Sequence, residues 1–386
     1  MALLLPDSRQ SLLVYRDRIG VRSELAFSRR QYLGFTRFRP VWIGRHVLAD
    51  ADGMGAEGMG AEGMGAGGMG GERMELGAIE GLLSRHFGIA PVRDWSGFAP
   101  VVHAQFARGG ALALPLARAM DARLVVTLHG GDVGKEKNWR HSLLARRWPA
   151  VIARTHRFVC VSHAVAETAL RRAVPQRLIT VLPIGVEVPA MMATGARSGG
   201  LLFTGRFVEK KGLVVLADAM RRLRAQGCMA PLVCAGDGPL RPLLEALARD
   251  IAGVSLVGWL NQTQIAAAMD AARVLLVPSV VAANGDAEGL PSVVPEAMAR
   301  GCAVIGTDQG GIAEAISDGA TGLLVPPGDA AALAEAIQRM IGEPGLAERL
   351  AEGGFAFAQT HLNAVRQSAA LERIIEDAVT GATNPD

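Results

Sequence analysis

Short apolar runs alternate with longer helical stretches along this chain, and the alternation stops once and restarts. In the first series the spacing predicts strands over 40–48, 101–106, 124–128, 158–161 and 179–182, with helices over 74–87, 112–120, 139–153 and 164–172. The break at 189–200 is rich in Ala, Gly, Met and Ser and reads as a linker. The second series predicts strands over 201–204, 232–235, 254–257, 274–277, 303–306 and 322–325. Its helices fall at 211–225, 240–249, 262–272, 293–300, 312–317 and 330–341, and the tail 346–379 has a helical pattern. Strands joined by crossover helices imply parallel sheets covered on both faces. The expected fold class is therefore α/β, with two Rossmann-like doubly wound domains facing across a cleft. At about 100–200 residues per domain, a chain of 386 residues accommodates two. The expected division is an N-terminal domain over 1–189, a C-terminal domain over 200–360, and a helix over 361–386 crossing back to the first domain.

Several classes are disfavoured by composition. No uninterrupted apolar run reaches the length of about 18 residues that a membrane helix requires. The first residues show neither a basic region ahead of a long apolar stretch nor a small-residue cleavage site, so no signal peptide is expected. The four cysteines form no CxxC pair and read as buried free thiols in a reducing cytoplasm. Residues 51–71, a repeat of Gly, Ala, Met and Glu, carry too much glycine to offset the entropy of ordering and read as a disordered loop. The net charge of +3 is uneven: residues 1–198 hold about 26 Lys and Arg against about 16 Asp and Glu. The segment 140–149, with Arg140, Arg146 and Arg147, concentrates the positive charge. It could meet anionic lipid heads or a diphosphate acceptor, and a solvated basic face is an equal reading. Nucleic acid is not expected, because aromatic residues are few and do not interleave with the basic ones.

Chemistry concentrates in the second half. In GRFVEKKG (205–212) a strand ends at Gly205 and two cations follow before a helix. Arg206 can grip a phosphate through two parallel hydrogen bonds, and Lys211 adds a point charge. Together they suit a diphosphate leaving group. In EGLPSVVPE, Glu288 and Glu296 bracket Gly289, Leu290, Pro291 and Ser292 at a helix start, whose amides are natural anion donors. A carboxylate accepts two neighbouring hydroxyls well, so one glutamate suits a sugar and the other a ribose. AGDGP (235–239) reads as a sharp turn, and VGW (257–259) puts Gly258 where its backbone would face a nucleobase. No pair of histidines has metal-ligand spacing. Asp50 and Asp52 form an Asp-x-Asp after an apolar run, but they open the glycine-rich repeat, so no metal is expected.

GRFVEKKG, AGDGP, VGWL, EGLPSVVPEAMARGCAVIGT and GGIAEAI, in this order and spacing, resemble the retaining nucleotide-sugar glycosyltransferases of the GT-B fold, family 4. The resemblance covers the second domain. It implies metal-independent transfer with retention and no cofactor beyond the nucleotide-diphosphate sugar as co-substrate. It implies that Arg206 and Lys211 bind the diphosphate, that Glu288 contacts the donor sugar, and that Glu296 contacts the ribose. The first domain resembles the family more loosely. LVVTLHGGD (124–132) is similar to a strand ending in a histidine loop, which puts His129 beside the reacting sugar and Asp132 on the acceptor side. VLPIG (181–185) carries Ile184 where the family has asparagine, and the family's glycine-rich loop near the amino terminus is missing, with YRDRIG (15–20) in that region. The resemblance is nearest to bacterial exopolysaccharide and lipopolysaccharide assembly enzymes. It implies a saccharide or lipid-linked acceptor and a cytoplasmic protein at the inner membrane face, peripherally held by anionic lipid. Two other readings are an epimerase on the same fold, which would turn over donor without acceptor, and a non-catalytic nucleotide-sugar binding protein.

Overall fold

A computed structural model describes residues 8–19, 30–44, 46–47, 73–77, 80, 83–84, 89–135, 139, 142–192, 197 and 199–381. The 51–71 repeat, Asp50, Asp52 and Arg140 lie outside the described residues. The chain divides into two compact units. One comprises Met1–Cys160, Thr168–Leu182 and Ala364–Asp386; the other comprises Val161–Glu167 and Pro183–Asn363.

The first unit is built on β1 (Gln10–Tyr15), β2 (Arg18–Ile19), β3 (Phe38–Gly44), β4 (His46–Val47), β5 (Arg73–Glu75), β6 (Phe98–Gln105), β7 (Arg123–Leu128), β8 (Thr155–Cys160) and β9 (Ile179–Val181). Seven of these form one parallel sheet in the order β5-β3-β1-β6-β7-β8-β9, and β2 pairs with β4 apart from it. β1, which the strand pattern left out, is an interior strand between β3 and β6, with Leu12, Leu13 and Val14 wholly buried. The helix expected over 74–87 is corrected at its start. Arg73–Glu75 is an edge strand whose Met74 is in register with Ile43. Phe106–Ala119 begins six residues before the expected 112, because Gly109 and Gly110 are buried where the helix meets the sheet. A Cβ on Gly110 would lie 3.3 Å from both Val126 and Val151. The helix Ala364–Thr380 contributes Leu371, Ile375 and Ala378 to a core with Leu12, Val14, Trp42, Val125 and Val159.

In the second unit β10 (Leu201–Thr204), β11 (Leu232–Ala235), β12 (Val254–Gly258), β13 (Val274–Val277), β14 (Ala303–Thr307) and β15 (Leu323–Val325) form a six-stranded parallel sheet in the order β12-β11-β10-β13-β14-β15. The order in which the chain adds strands reverses between β10 and β13. In such sheets the crevice beyond the carboxyl ends at that point is where ligands bind. β10 and β13 are four-residue runs buried at every position, as expected for strands covered on both faces. Two apolar cores cover the sheet. One is built on Phe203, Phe207, Leu216, Met220 and Ile337, and the other on Leu275, Val294, Met298, Ile312 and Leu362. Val161–Glu167 falls in this unit because both oxygens of Glu314 accept hydrogen bonds from the amides of His163 and Ala164, at 2.7 and 2.8 Å.

Candidate functional site

The loops leaving β10 and β13 are fastened to each other at the reversal point. After Gly205 the chain turns outward at Arg206 and inward at Phe207, which is fully buried. The AGDGP turn holds Phe207 by its backbone. Phe207 N–H donates to Asp237 O at 2.8 Å, and Leu240 N–H donates to Phe207 O at 2.9 Å. Arg206 is thereby left exposed, and its guanidinium makes no hydrogen bond or ion pair among the described residues.

Glu209–Lys211 form a single 3-10 turn, and the following helix is Leu213–Ala225, so Lys211 precedes the helix instead of opening it. Gly212 ends the turn at φ +67, and a Cβ there would sit 1.7 Å from Pro278 O. Only glycine fits that position. The other fastenings are Val280 N–H to Lys210 O at 2.9 Å and Ala283 N–H to a Glu209 carboxylate oxygen at 2.9 Å.

Four charges meet between these loops. Lys211 Nζ lies 3.1 Å from Glu288 Oε1, and Lys210 Nζ lies 3.4 Å from the same oxygen. Lys210 Nζ is also 3.4 Å from Asp286 Oδ1. The side chains are between 11% and 14% exposed, so solvent screens them little. Burial alone would push the Glu288 carboxyl up, but the ammoniums of Lys211 and Lys210 outweigh it and hold the group below its ordinary range. Glu288 is therefore a carboxylate at neutral pH. The Lys211 stem crosses Gly205, where a Cβ would come within 3.3 Å of its Cε. Sequence reasoning singled out Lys211 and Glu288 but passed over Lys210 and Asp286. The signal was their place, Lys210 within GRFVEKKG and Asp286 two residues before EGLPSVVPE.

Beyond Glu288, Gly289 and Pro291 are buried, Leu290 is half-buried, and Ser292 is exposed at the start of the helix Val293–Ala299. Glu296 lies half-buried on that helix, its N–H donating to Ser292 O at 3.1 Å. The GGIAEAI motif supports this loop from below. A Cβ on Gly311 would lie 2.0 Å from Gly289 O, so the two backbones touch with no room for a side chain. Gly258 closes β12, and its carbonyl accepts from Gly236 N–H at 2.7 Å. Trp259 beside it is 45% exposed.

In the first unit the loops after β1, β6 and β7 carry a second constellation. The strand order reverses between β1 and β6. Arg16 follows β1 and is buried, which pulls its guanidinium down to about 10. It lies over the Phe106 ring, 5.6 Å from the centroid. Phe106 has φ +68, a left-handed conformation that costs a bulky residue about 1–3 kcal/mol. Its ring is 4.3 Å from that of His129, centroid to centroid.

His129 Nε2 is 2.9 Å from Gln105 Oε1. Burial, reinforced by the charge of Arg16 and by His103, pulls His129 down to about 3, so the ring is neutral. Asp132 is taken up by the loop itself. One oxygen accepts from His129 N–H at 3.0 Å and the other from Ala107 N–H at 2.8 Å. Burial pushes its carboxyl up, against the pull of these amides. Its visible work is to shape the His129 loop. Arg147 also has a structural occupation, donating to Ala111 O at 2.9 Å and Ser84 O at 3.0 Å. Among the described residues no helix is long and apolar enough to cross a membrane.

Comparison with known proteins agrees with this arrangement. Residues 198–343 match the family model of glycosyl transferases group 1, and residues 99–188 match that of glycosyltransferase family 4. The chain thus carries a glycosyltransferase family 4 domain followed by a glycosyl transferases group 1 domain. An amylovoran biosynthesis glycosyltransferase of Erwinia amylovora is 32% identical over 256 residues, which are 63% of this chain and 61% of that protein. The match thus spans less than two thirds of that relative's length. Among solved structures, Anabaena HepE in complex with UDP superposes with a TM-score of 0.75 at 15% identity, covering 95% of this chain and all of HepE. Sucrose-phosphate synthase of Thermosynechococcus elongatus gives 0.73 at 20% identity, over 97% of this chain and all of that one. These likenesses establish the fold as GT-B, two parallel-sheet α/β domains.

Proposed function

We propose that the protein transfers a sugar, with retention, from a nucleotide-diphosphate sugar to a saccharide or lipid-linked saccharide acceptor in cell-surface polysaccharide biosynthesis. The observation that carries this reading is the ionised Glu288 held by Lys211 and Lys210 at the reversal point of the second sheet, beside the outward-pointing Arg206. The diphosphate is gripped by Arg206 and by Lys211, which gives up part of its pairing with Glu288. Fixed cations at the place where charge develops are what departure of a diphosphate requires. They also make a metal ion unnecessary, and no cofactor enters besides the co-substrate. Glu288, acceptor-only as a carboxylate, takes hydrogen bonds from donor-sugar hydroxyls, and Glu296 takes those of the ribose. Gly289 to Ser292 line the phosphate path, and Gly258 faces the base. By the family resemblance, His129 is the residue of the first unit assigned to the donor sugar.

In the reaction the bond between the anomeric carbon and the diphosphate oxygen breaks. The acceptor oxygen bonds to the same face of that carbon, and its proton passes to the departing phosphate. The amylovoran name of the relative from Erwinia favours a surface-polysaccharide acceptor, and the UDP bound by HepE makes uridine donors the first to try.

Calorimetry against uridine-, guanosine- and adenosine-diphosphate sugars, with Glu296→Ala as control, tests the donor site. Binding of one nucleotide class, weakened in the variant, supports it; no binding to any sinks it. Turnover of the donor with no acceptor present would favour an epimerase, and binding without any turnover a non-catalytic module. A peripheral position on anionic membrane rests on Arg140 and Arg146. Liposome flotation that is unchanged when both are neutralised would remove it.

A further inference from the structure

The 3-10 turn at Glu209–Lys211 sends three charged side chains to different places, because successive residues in such a turn are set about 120° apart. Glu209 spends a carboxylate oxygen on Ala283 N–H at 2.9 Å. Lys210 faces the loop after β13, with Asp286 Oδ1 and Glu288 Oε1 each 3.4 Å from its Nζ. Its backbone is fixed there too, since Lys210 O accepts from Val280 N–H at 2.9 Å. Lys211 instead crosses Gly205, where a Cβ would come within 3.3 Å of the lysine Cε, and meets Glu288 Oε1 at 3.1 Å.

The two lysines therefore differ in what they can give up. Among the described residues Lys210 has two carboxylate partners and Lys211 has one. Lys211 also lies along the end of β10, where the exposed Arg206 follows Gly205. An arriving diphosphate draws on Lys211 at the smaller loss of pairing. The four side chains carry two charges of each sign. With Lys211 engaged elsewhere, Glu288 and Asp286 keep Lys210 as their cation. A carboxylate as buried as Glu288 stays ionised only beside an opposite charge.

We propose that Lys210 is a positioning residue that takes over Glu288 when a diphosphate draws Lys211 away, with Asp286 anchoring the lysine to the loop after β13. The departure of Lys211 rests on the glycosyltransferase reading; the contacts of Lys210 do not. Burial pushes the Glu288 carboxyl up and both ammoniums pull it down, so each lysine is a counter-ion to it. The other charged groups on the elements packed around Glu288 are accounted for. Glu209 is spent on Ala283, Glu314 on the amides of His163 and Ala164, Arg206 and Asp308 are exposed, and Glu296 lies on the helix that follows.

The test is calorimetry of the full-length protein with uridine-, guanosine- and adenosine-diphosphate sugars near neutral pH. Buffers of different ionisation enthalpy count the protons taken up on binding. Lys210→Met should take up roughly one proton per site more than the wild type, because Glu288 protonates once Lys211 leaves it. Its affinity should fall by about threefold to tenfold, since Glu288 then competes harder for Lys211. Lys210→Arg, which keeps the charge, should restore the wild-type proton count, and Asp286→Asn should leave it unchanged. If Lys210→Met does not fold, Lys210→Met combined with Asp286→Asn removes one charge of each sign and should show the same uptake. Equal uptake in the wild type and the Lys210 variants overturns the proposal while the donor site stands. So does uptake in Asp286→Asn as large as in Lys210→Met, which would trace the effect to loop shape. A folded Lys210→Met that binds none of the nucleotide sugars the wild type binds would make Lys210 a phosphate ligand and also overturn it. A wild type that binds none of them overturns the donor reading as well.

Discussion

Lys211 and Glu288 meet at 3.1 Å with both side chains nearly out of water, and Glu288 shares its oxygen with Lys210. Removing one member of such a buried set leaves charge uncompensated and costs about 3–5 kcal/mol before any substrate is considered. Lys211→Met should therefore lower thermal stability, and should cut kcat by about a hundredfold to a thousandfold if the ammonium stabilises the departing phosphate. Melting curves and steady-state transfer rates separate the two effects. Unchanged turnover in a folded variant would remove Lys211 from the mechanism.

The lowered carboxyl of Glu288 makes the second unit sensitive to acid in a definite direction. A depressed carboxyl contributes stability that is present above its unfolded pKa and is lost as pH falls through its folded one. The Glu288 contribution to stability should thus hold at neutral pH and be lost only as pH falls through and below the ordinary carboxylate range. In Lys211→Met the folded carboxyl rises toward its unfolded value, so this part of the acid-dependent loss should shrink, as titrated melts would show.

His103 and His129 act in the same direction but over a higher range of pH. Both are pulled down to about 3 by burial, so the unfolded chain binds protons that the folded chain refuses. Stability should fall as pH drops below about 6.5, the ordinary histidine value, and level off near the folded values. His103→Gln should flatten that slope. A slope identical to the wild type would show that His103 is not the group titrating.

Gly311→Ala places a methyl 2.0 Å from Gly289 O, backbone against backbone. The Glu288 loop must move, at an overpacking cost of about 1–3 kcal/mol. Donor affinity should fall with it, by calorimetry, although Gly311 is assigned no contact with donor.

Glu372 joins the last helix to the first sheet. Its carboxylate, 5% exposed, accepts from the amides of Thr36, Arg37 and Phe38 at 2.8 to 3.1 Å. Glu372→Ala leaves these donors stranded and should cost about 1–3 kcal/mol for each that stays dry. Exchange protection of the Phe38 amide should drop more than that of β13, which lies in the other unit.

What the sequence made legible follows from how local each feature is. β10, β11 and β13 were readable to the residue because each is a short apolar run bounded by Gly or Pro. β1 was missed although it is an interior strand of the sheet. Its five-residue run SLLVY is too short to tell strand from helix. Lys211 and Glu288 were visible as motif residues, but their pairing was not, because 77 positions separate them and only the sheet order brings them together. The His129 support is more hidden still. Gln31 and Tyr32 come from one segment and His103 and Gln105 from another, with no shared spacing, and each alone looks like an ordinary polar residue in an apolar setting.

The Gly212–Pro278 contact has a bearing on how such an enzyme is altered. With Lys210, Glu209 and Gly212 tied to Val280, Ala283 and Pro278, segments 205–212 and 278–288 are mechanically a single cassette. Transplanting either alone from a relative brings a mismatched half, however similar its residues. A change of donor made here has to exchange both segments together, whereas the exposed Arg206 and Trp259 can be varied one at a time.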